Sequence, residues 1–289
     1  MSSPSHPTLR PYAPADLPAV LALLDGDRLP GQPGATPELF AEASRGCTEA
    51  DAPWWGAYEP PDVQVAVGSG GAIVGAVACA RRTKDGAGLI PWLHCREDPV
   101  VAEALLAHAA AALSSAESVD AFPFATALTQ GLEGLPIGRR PVTHAALERA
   151  GYAGERLWRY MRADLPRPGL PRAEGVRVGP ARDRGASQRL EVVRDGRSVA
   201  EAVIGRPVQG VGVLWWIEVD EEARGRGTGR ALLGSALDAL GGLGATQVVL
   251  YVDDDEPPGG ERDRTAANRL YESAGFVEVD HLWSYTRRD

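Results

Sequence analysis

The sequence predicts an α/β chain, more closely an α+β mixed sheet flanked by helices, built as two tandem copies of one architecture. Three observations carry this prediction: an internal repeat, a regular alternation of strand-like and helix-like segments, and a Pro/Gly-dense break between the halves. Residues 144–164 read HAALERAGYAGERLWRYMRAD and residues 268–289 read NRLYESAGFVEVDHLWSYTRRD. With one residue inserted, Ala-Gly-aromatic and then Leu-Trp-x-Tyr-x-Arg-x-Asp recur in the same order. A glycine closing a helix is common because it supplies the left-handed cap. The shared Trp-x-Tyr tail is not common, and it makes the match a repeat. Between the copies, ADLPRPGLPRAEG reads as a semi-stiff linker. The expected domains are therefore 1–165 and 175–289, joined by 166–174.

The elements follow in order. In the first copy TLRPYA is a strand, and ADLPAVLALLDGD is a helix with aspartate in its first turn and a closing glycine. A Gly/Pro-rich passage and a short helix, PELFAEASRG, come next. DVQVAVGSGGAIVGAVACARR reads as a hairpin through Gly-Ser-Gly-Gly, GLIPWLHC as a further strand, and DPVVAEALLAHAAAAL as an alanine-rich helix. The repeat then supplies a short helix and a strand. In the second copy VRVGPA is a strand, and QRLEVVRDGRSVAEAVIG is a hairpin turning at Asp-Gly. GVLWWIEVD is a strand, ARGRGTGRALLGSALDALGGLG a helix, and TQVVLYVDD a strand. TAANRLYESAG and VEVDHLWSYTRR close the chain as helix and strand. The second copy lacks the first two helices of the first. Strands alternating with helices give one sheet per copy.

Composition narrows the function classes. A chain of 289 residues, 44% hydrophobic and 24% charged, is ordinary for a globular protein. Net charge is −9 and the pI about 5.2, so the surface as a whole repels nucleic acid and anionic membrane. Any anion site must be a local basic feature. No apolar run reaches the ~18 residues of a membrane span, and the N-terminus lacks the basic and apolar regions of a secretory signal. Cys47, Cys79 and Cys95 are odd in number and show no CxxC spacing. A reduced, cytoplasmic protein is expected. Lys84 is the only lysine among many arginines, an arginine bias of the kind a GC-rich bacterial genome produces. His6, His94, His108, His144 and His281 show no ligand-like spacing, so no metal is expected.

The local basic feature is EEARGRGTGRALLGSAL, residues 221–237. Gly225, Gly227 and Gly229 let the backbone turn tightly and approach a ligand. The helix that follows offers unpaired N–H groups and the positive end of its dipole. Together they suit a pyrophosphate, and Arg224, Arg226 and Arg230 add charge. A dinucleotide fingerprint needs a glycine where Arg230 stands, and a Walker loop needs a lysine that is absent here. An RNA-binding arginine–glycine segment is extended and disordered, whereas this one is wedged between a strand and a helix.

Arg224-x-x-Gly227-x-Gly229 after a strand and before a helix resembles the acyl-CoA pyrophosphate loop of the GCN5-related N-acetyltransferase (GNAT) superfamily. The stretch Ala267-Asn268-Arg269-Leu270-Tyr271-Glu272-Ser273-Ala274-Gly275-Phe276 resembles that superfamily's second signature, in the right order and with a strand between the two. The match spans nearly all of the second copy, and LRPYAPADLPAVLALL resembles the start of such domains. Two GNAT-like domains in tandem resemble two-copy members whose C-terminal copy is active.

The resemblance implies acetyl-CoA as co-substrate, held by Arg224, Gly225, Arg226, Gly227, Thr228, Gly229, Arg230 and Asn268, with the Val219 N–H polarising the thioester carbonyl. It implies Tyr271 as the general acid that protonates the departing thiolate. The base is Glu218 or, as its rival, Asp253. Along WWIEVD side chains alternate, so Trp216 and Glu218 share one face. A glutamate beside a tryptophan on an otherwise apolar strand suggests a buried, and so purposeful, carboxylate. Trp216 and Asp253 are the expected acceptor contacts. The run Asp253-Asp254-Asp255-Glu256 lacks calcium-loop spacing and reads as a solvated loop or a lure for a cationic amine. Where an asparagine commonly precedes the tyrosine by seven residues, this chain has Arg264.

The expected activity is acetyl transfer to a primary amine of a small molecule by direct attack, with no nucleic-acid or membrane partner. The alternatives are a protein or peptide amino group as acceptor, or a non-catalytic acyl-CoA sensor. The sequence is silent on oligomeric state. In the first copy the arginine and two glycines align with Glu97, Val100 and Ala102, and the tyrosine with Leu147. That copy is expected to keep the fold without the site.

Overall fold

In a computed structural model the chain is described over residues 6–47, 52–129, 132–181, 187–253 and 264–288. It packs as two compact units, one of Met1–Pro30, Gly34–Leu157 and Asp280–Asp289, the other of Gly31–Pro33 and Trp158–Val279.

The first unit contains β1 (Thr8–Pro11), α1 (Leu17–Gly26), α2 (Pro37–Ser44), α3 (Ala52–Trp55), β2 (Asp62–Val67), β3 (Ile73–Arg81), β4 (Gly88–His94), α4 (Pro99–Ala112), β5 (Ser118–Ala121), β6 (Leu135–Pro136) and α5 (Pro141–Arg149). The strand β7 (Ala153–Asp164) begins in this unit and ends in the other. In the second unit follow β8 (Val176–Pro180), β9 (Gln188–Arg194), β10 (Arg197–Val208), β11 (Val211–Val219), α6 (Thr228–Gly242), β12 (Gln247–Asp253) and α7 (Thr265–Ser273). The last strand, β13 (Val277–Arg288), starts there and ends in the first unit.

Each unit therefore carries the expected mixed, mostly antiparallel sheet. In the first, β1, β2, β3 and β4 pair antiparallel in sequence order, β4 and β5 pair parallel, and β13 lies antiparallel to β5 and β6. In the second, β8, β9, β10 and β11 pair antiparallel, β11 and β12 pair parallel, and Trp158–Asp164 of β7 runs antiparallel to β12. The parallel pair in each unit is bridged by one helix, as a crossover requires.

The repeat explains how the chain is divided. Its Trp-x-Tyr tail is the last strand of each copy: Trp158 and Tyr160 belong to the second unit, and Trp283 and Tyr285 to the first. Tyr160 and Tyr285 are both fully buried there. The packing units are thus cut at 157/158 and 279/280, not within 166–174.

Helix α6 shows why its sequence folds onto the sheet. Leu232, Leu233, Ala236, Leu237 and Leu240 form one buried stripe at helical spacing. They join Leu190, Ala202, Leu214, Val248 and Leu250 of the sheet in one core. Gly234 leaves room on α6 for the Pro171 carbonyl to lie against the helix. The Ala173 N–H donates to Ser235 Oγ at 3.0 Å, and Arg172 pairs with Asp238. Residues 166–174, read from composition as a semi-stiff linker, are laid along α6. Only residues 181–187 separate β8 from β9, too short a stretch for helices like α1, α2 and α3, which lie between β1 and β2 in the first unit.

Candidate functional site

The second unit's candidate site begins with two irregularities of β11. Val203 of β10 faces Trp216, but Ile204 faces Leu214, so Trp215 is an extra residue and β11 bulges there. The bulge needs Gly205: a Cβ at that position would stand 2.5 Å from Trp215 Nε1. The other irregularity is a short ladder. Pairing with β12 covers only Val211, Gly212 and Val213, and from Leu214 onward β11 has no partner on that side among the described residues. Beyond Val213 the two strands splay apart.

Backbone groups alternate sides along a strand. The Asp220 N–H donates to Val199 O on the β10 side at 3.0 Å, so the backbone groups of Val219 point the other way, into the splay. The Val219 carbonyl accepts from Arg224 Nε at 3.0 Å. Its N–H faces the same gap.

The glycine loop follows. Gly225 and Gly227 have φ of 73° and 78°, the left-handed region that favours glycine. Gly227 is the N-cap of α6, with no side-chain cap. A Cβ added at Gly225 or Gly227 would meet nothing within 4 Å. The backbone N–H groups from Gly225 to Arg230 donate to no other described residue. Successive N–H groups in alternating right- and left-handed conformations form an anion-binding nest, here at the positive end of a helix. Gly229 serves a different purpose. It sits in the first turn of α6, where a Cβ would lie 3.3 Å from Val219 Cγ2 and 3.7 Å from Leu270 Cδ2. Loop, strand end and α7 meet there.

The loop arginines divide. Arg224 is bonded to Val219, Arg230 Nη1 donates to Ser273 Oγ at 2.6 Å, and exposed Arg226 bonds no described residue. Thr228 is buried, and its Oγ1 accepts from Arg194 Nη2 at 3.3 Å. Arg194 was not singled out in the sequence, although its place before the Asp-Gly hairpin turn is a signal that was there to read.

On α7, Asn268 and Tyr271 are the buried residues. The Tyr271 ring packs edge-on against Phe276 at 5.8 Å in the core shared with α6. Burial pushes its phenol up to about 12, partly opposed by the Arg264 charge, so it is protonated across the neutral range. Arg264, the departure from the superfamily pattern, is the N-cap residue of α7 and donates Nε–H to Asp253 Oδ2 at 2.7 Å. Asp253 is therefore committed to an ion pair. Asp254, Asp255 and Glu256 lie outside the described residues.

Trp216 and Glu218 share a face as expected, while Ile217 and Val219 pack toward the α6 core. The burial expected for Glu218 is a correction. It is exposed, and Trp216 beside it is 50% exposed, because the strand is apolar only on its helix-covered side. Glu218 faces Glu201 of β10, which faces Glu191 of β9, so three carboxylates line up across three strands. Arg189 Nη1 holds Glu201 at 3.1 Å. Glu218 and Tyr271 thus stand on opposite faces of the sheet, and no contact joins them.

The first unit differs at the aligned positions. The Asp98 carboxylate caps α4, accepting from the Val100 and Val101 N–H groups at 2.9 and 3.2 Å. Glu97 accepts from the Val142 and Thr143 N–H groups at the start of α5, and from Arg140 Nε at 2.7 Å. Ala102 and Leu147 are fully buried. Among the described residues no helix is long and apolar enough to cross a membrane, and no cluster of three or more His, Cys, Asp or Glu residues could hold a metal.

The acetyltransferase (GNAT) domain family matches residues 187–278. A mycothiol acetyltransferase of Beutenbergia cavernae is 34% identical over 148 residues, 50% of this chain and 47% of its own length. That of Thermobispora bispora is 46% identical over 67 residues, 23% of this chain and 20% of its own. The matches thus span about half or less of these relatives. In fold, a GNAT protein of Sphaerobacter thermophilus superposes with a TM-score of 0.65 at 16% identity, covering 99% of this chain and 97% of its own. A tandem GNAT protein from the clavulanic acid biosynthesis pathway gives 0.63 at 19% identity, covering 97% and 98%. Residues 187–278 thus match the GNAT domain family, and the chain as a whole resembles tandem GNAT proteins in fold.

Proposed function

We propose that the second unit binds acetyl-CoA and transfers its acetyl group to a primary amine of a small molecule by direct attack. The open N–H nest from Gly225 to Arg230, beside the splay of β11, carries this reading. Two left-handed glycines and a bare helix N-terminus fit a pyrophosphate, and a side chain at either glycine would stand in the space it needs. The co-substrate supplies the activated acetyl thioester and a thiolate leaving group.

The protein's own groups then have definite tasks. Arg226, Thr228 and the loop N–H groups hold the diphosphate, and Arg224 and Arg230 keep the loop in shape. Buried Asn268 supports α7 against the co-substrate. The Val219 N–H, fixed in the splay, donates to the carbonyl oxygen as charge builds on it. Glu218 takes the proton that the amine must lose, directly or through a water. Tyr271 donates its O–H proton to the departing sulfur from the helix-covered side. The nitrogen–carbon bond forms as the carbon–sulfur bond breaks, and one proton is taken and one given. Base and acid on opposite faces of the sheet suit a reaction in which amine and sulfur approach the carbonyl through the gap between β11 and β12.

Exposed Trp216, with the carboxylates of Glu218 and Glu201, favours a cationic acceptor over a neutral one. Asp253 retains a charge near the same end of β12, muted by Arg264. The mycothiol acetyltransferase relatives favour a small-molecule acceptor over a protein amino group. The repeat copies, 1–165 and 175–289 with 166–174 between them, are the units of duplication, and the C-terminal copy is the active one. In the first unit, the Asp98 carboxylate fills the α4 N-terminus, the counterpart of the α6 end that the diphosphate takes in the second.

A thiol-release assay tests the reading: acetyl-CoA with a broad panel of amines, read as CoA formed per enzyme. Stimulation by one amine class, lost in Tyr271→Phe, is expected. Tight acetyl-CoA binding with no amine stimulating release would favour the acyl-CoA sensor.

A further inference from the structure

The β9–β10 hairpin carries a cation to the phosphate loop from outside the loop's own sequence. Asp195 and Gly196, the two turn residues, have φ of 50° and 79°, so the hairpin closes tightly. Arg194 and Arg197 therefore stand directly opposite each other. Like charges in that position repel. Arg197 is relieved by Asp220, whose Oδ2 lies 3.1 Å from its Nη2. Arg194 is not relieved in the same way. Among the described residues its guanidinium donates from Nη2 to Thr228 Oγ1 at 3.3 Å and meets no carboxylate.

That placement is unfavourable for the protein alone. Thr228 is the first residue of α6, so a guanidinium lies against the positive end of a helix dipole, beside N–H groups that donate to nothing described. Three positive features converge where, among the described residues, no carboxylate pairs with the guanidinium. A phosphoryl group would balance all three.

We infer that Arg194 is a phosphate-binding residue of the co-substrate site, taking a phosphoryl oxygen from the β9 side while the nest takes others from the α6 side. The inference rests on acetyl-CoA being the ligand of this unit. CoA offers two sources of the same chemistry, the diphosphate and the ribose 3′-phosphate.

The test is calorimetric titration of the full chain with CoA and with 3′-dephospho-CoA, for the wild type, Arg194→Gln and Arg194→Lys. Arg194→Gln is expected to weaken CoA binding about tenfold, the scale of one charge-assisted hydrogen bond, with Arg194→Lys between the two. A loss that persists with 3′-dephospho-CoA assigns Arg194 to the diphosphate, and a loss that disappears assigns it to the 3′-phosphate. CoA affinity in Arg194→Gln within about twofold of a wild type that binds CoA overturns the inference and leaves the acetyltransferase reading intact. Absence of CoA binding by the wild type overturns both.

Discussion

Arg224 Nε and the Val219 carbonyl lie 3.0 Å apart, so the phosphate loop is tied back to the strand that precedes it. The bond uses the one Val219 group a thioester does not need and leaves the one it does. It also fixes the height of Gly225 and Gly227 above the end of β11. Arg224→Met keeps the aliphatic stem and removes the bond. Its acetyl-CoA KM is expected to rise several-fold, in line with the ~1 kcal/mol of an exposed charge-assisted bond. A KM equal to that of the wild type would show that the loop holds its shape without the tether.

The three loop glycines are not equivalent. Gly227→Ala forces a side chain into the left-handed region at a cost of about 1–2 kcal/mol and places a methyl in the cradle. Both stability and acetyl-CoA affinity should fall. Gly229→Ala is in helical conformation, where alanine is favoured by about 1 kcal/mol, and its methyl meets Val219 Cγ2 at 3.3 Å. Melting temperature should hold or rise, while kcat drops as Val219 is displaced. Melting curves and steady-state kinetics on the two variants separate a phosphate glycine from a packing glycine.

Tyr271 gives a kinetic and an alkaline prediction. Tyr271→Phe keeps the ring against Phe276 and removes the proton, so kcat should fall about 10²-fold or more with acetyl-CoA binding retained. The phenol is raised by burial from 10.0 to about 12. A folded-state value above the unfolded one gives stability that is complete below pH 10 and is lost as pH rises through about 12. The part due to Tyr271 is about 2–3 kcal/mol, so the alkaline fall should be shallower in Tyr271→Phe. It will not vanish, because burial also raises Tyr160 and Tyr285. An unchanged alkaline melting profile would contradict the burial seen here.

Glu218 and Asp253 can be ranked by substitution. Asp253 is held by Arg264 at 2.7 Å with both side chains partly exposed, an arrangement worth under about 1 kcal/mol. Asp253→Asn should leave kcat within about fivefold of wild type. Glu218→Gln removes the proposed base and should lower kcat by about 10² or more with acetyl-CoA affinity unchanged. The reverse ranking would move the base to Asp253.

The sequence revealed the parts of this site that depend on local chemistry. Glycines at 225 and 227 predict left-handed backbone before a helix, and the alternation along WWIEVD correctly pairs Trp216 with Glu218. It missed what depends on distant neighbours. No local pattern shows that β7 and β13 each end in the other packing unit, since the Trp-x-Tyr tail is apolar wherever it lands. Residues 166–174 look like a spacer because proline and glycine dominate, yet Gly234, far along the chain, lets them lie on α6. The apolar neighbours of Glu218 predict burial, but those neighbours face α6 and the glutamate faces solvent. Arg194 reaches Thr228 only once the hairpin has closed.

The first unit should respond to acid through a buried polar group of its own. His94 Nδ1 lies 3.0 Å from Asp27 Oδ2, and Arg140 Nη2 lies 3.4 Å from the same oxygen. Burial lowers the His94 value below 6.5, with the Arg140 charge adding to it and the Asp27 bond only partly opposing. Burial alone would raise Asp27, but the His94 hydrogen bond and the Arg140 charge outweigh it, and Asp27 is lowered. Neutral His94 thus donates its Nδ1–H to an ionised Asp27. Both folded-state values lie below the unfolded ones, so the signs agree. His94 contributes stability above pH 6.5 that is lost as pH falls through its lower folded value, and Asp27 does the same below its ordinary 3.8. Melting temperature should begin to fall as pH drops below about 6.5, earlier than carboxylates alone would cause. His94→Gln, which can keep a donor to Asp27 without titrating, should delay that fall toward the carboxylate range. If wild type and His94→Gln lose stability over the same pH interval, the imidazole is not the group that titrates.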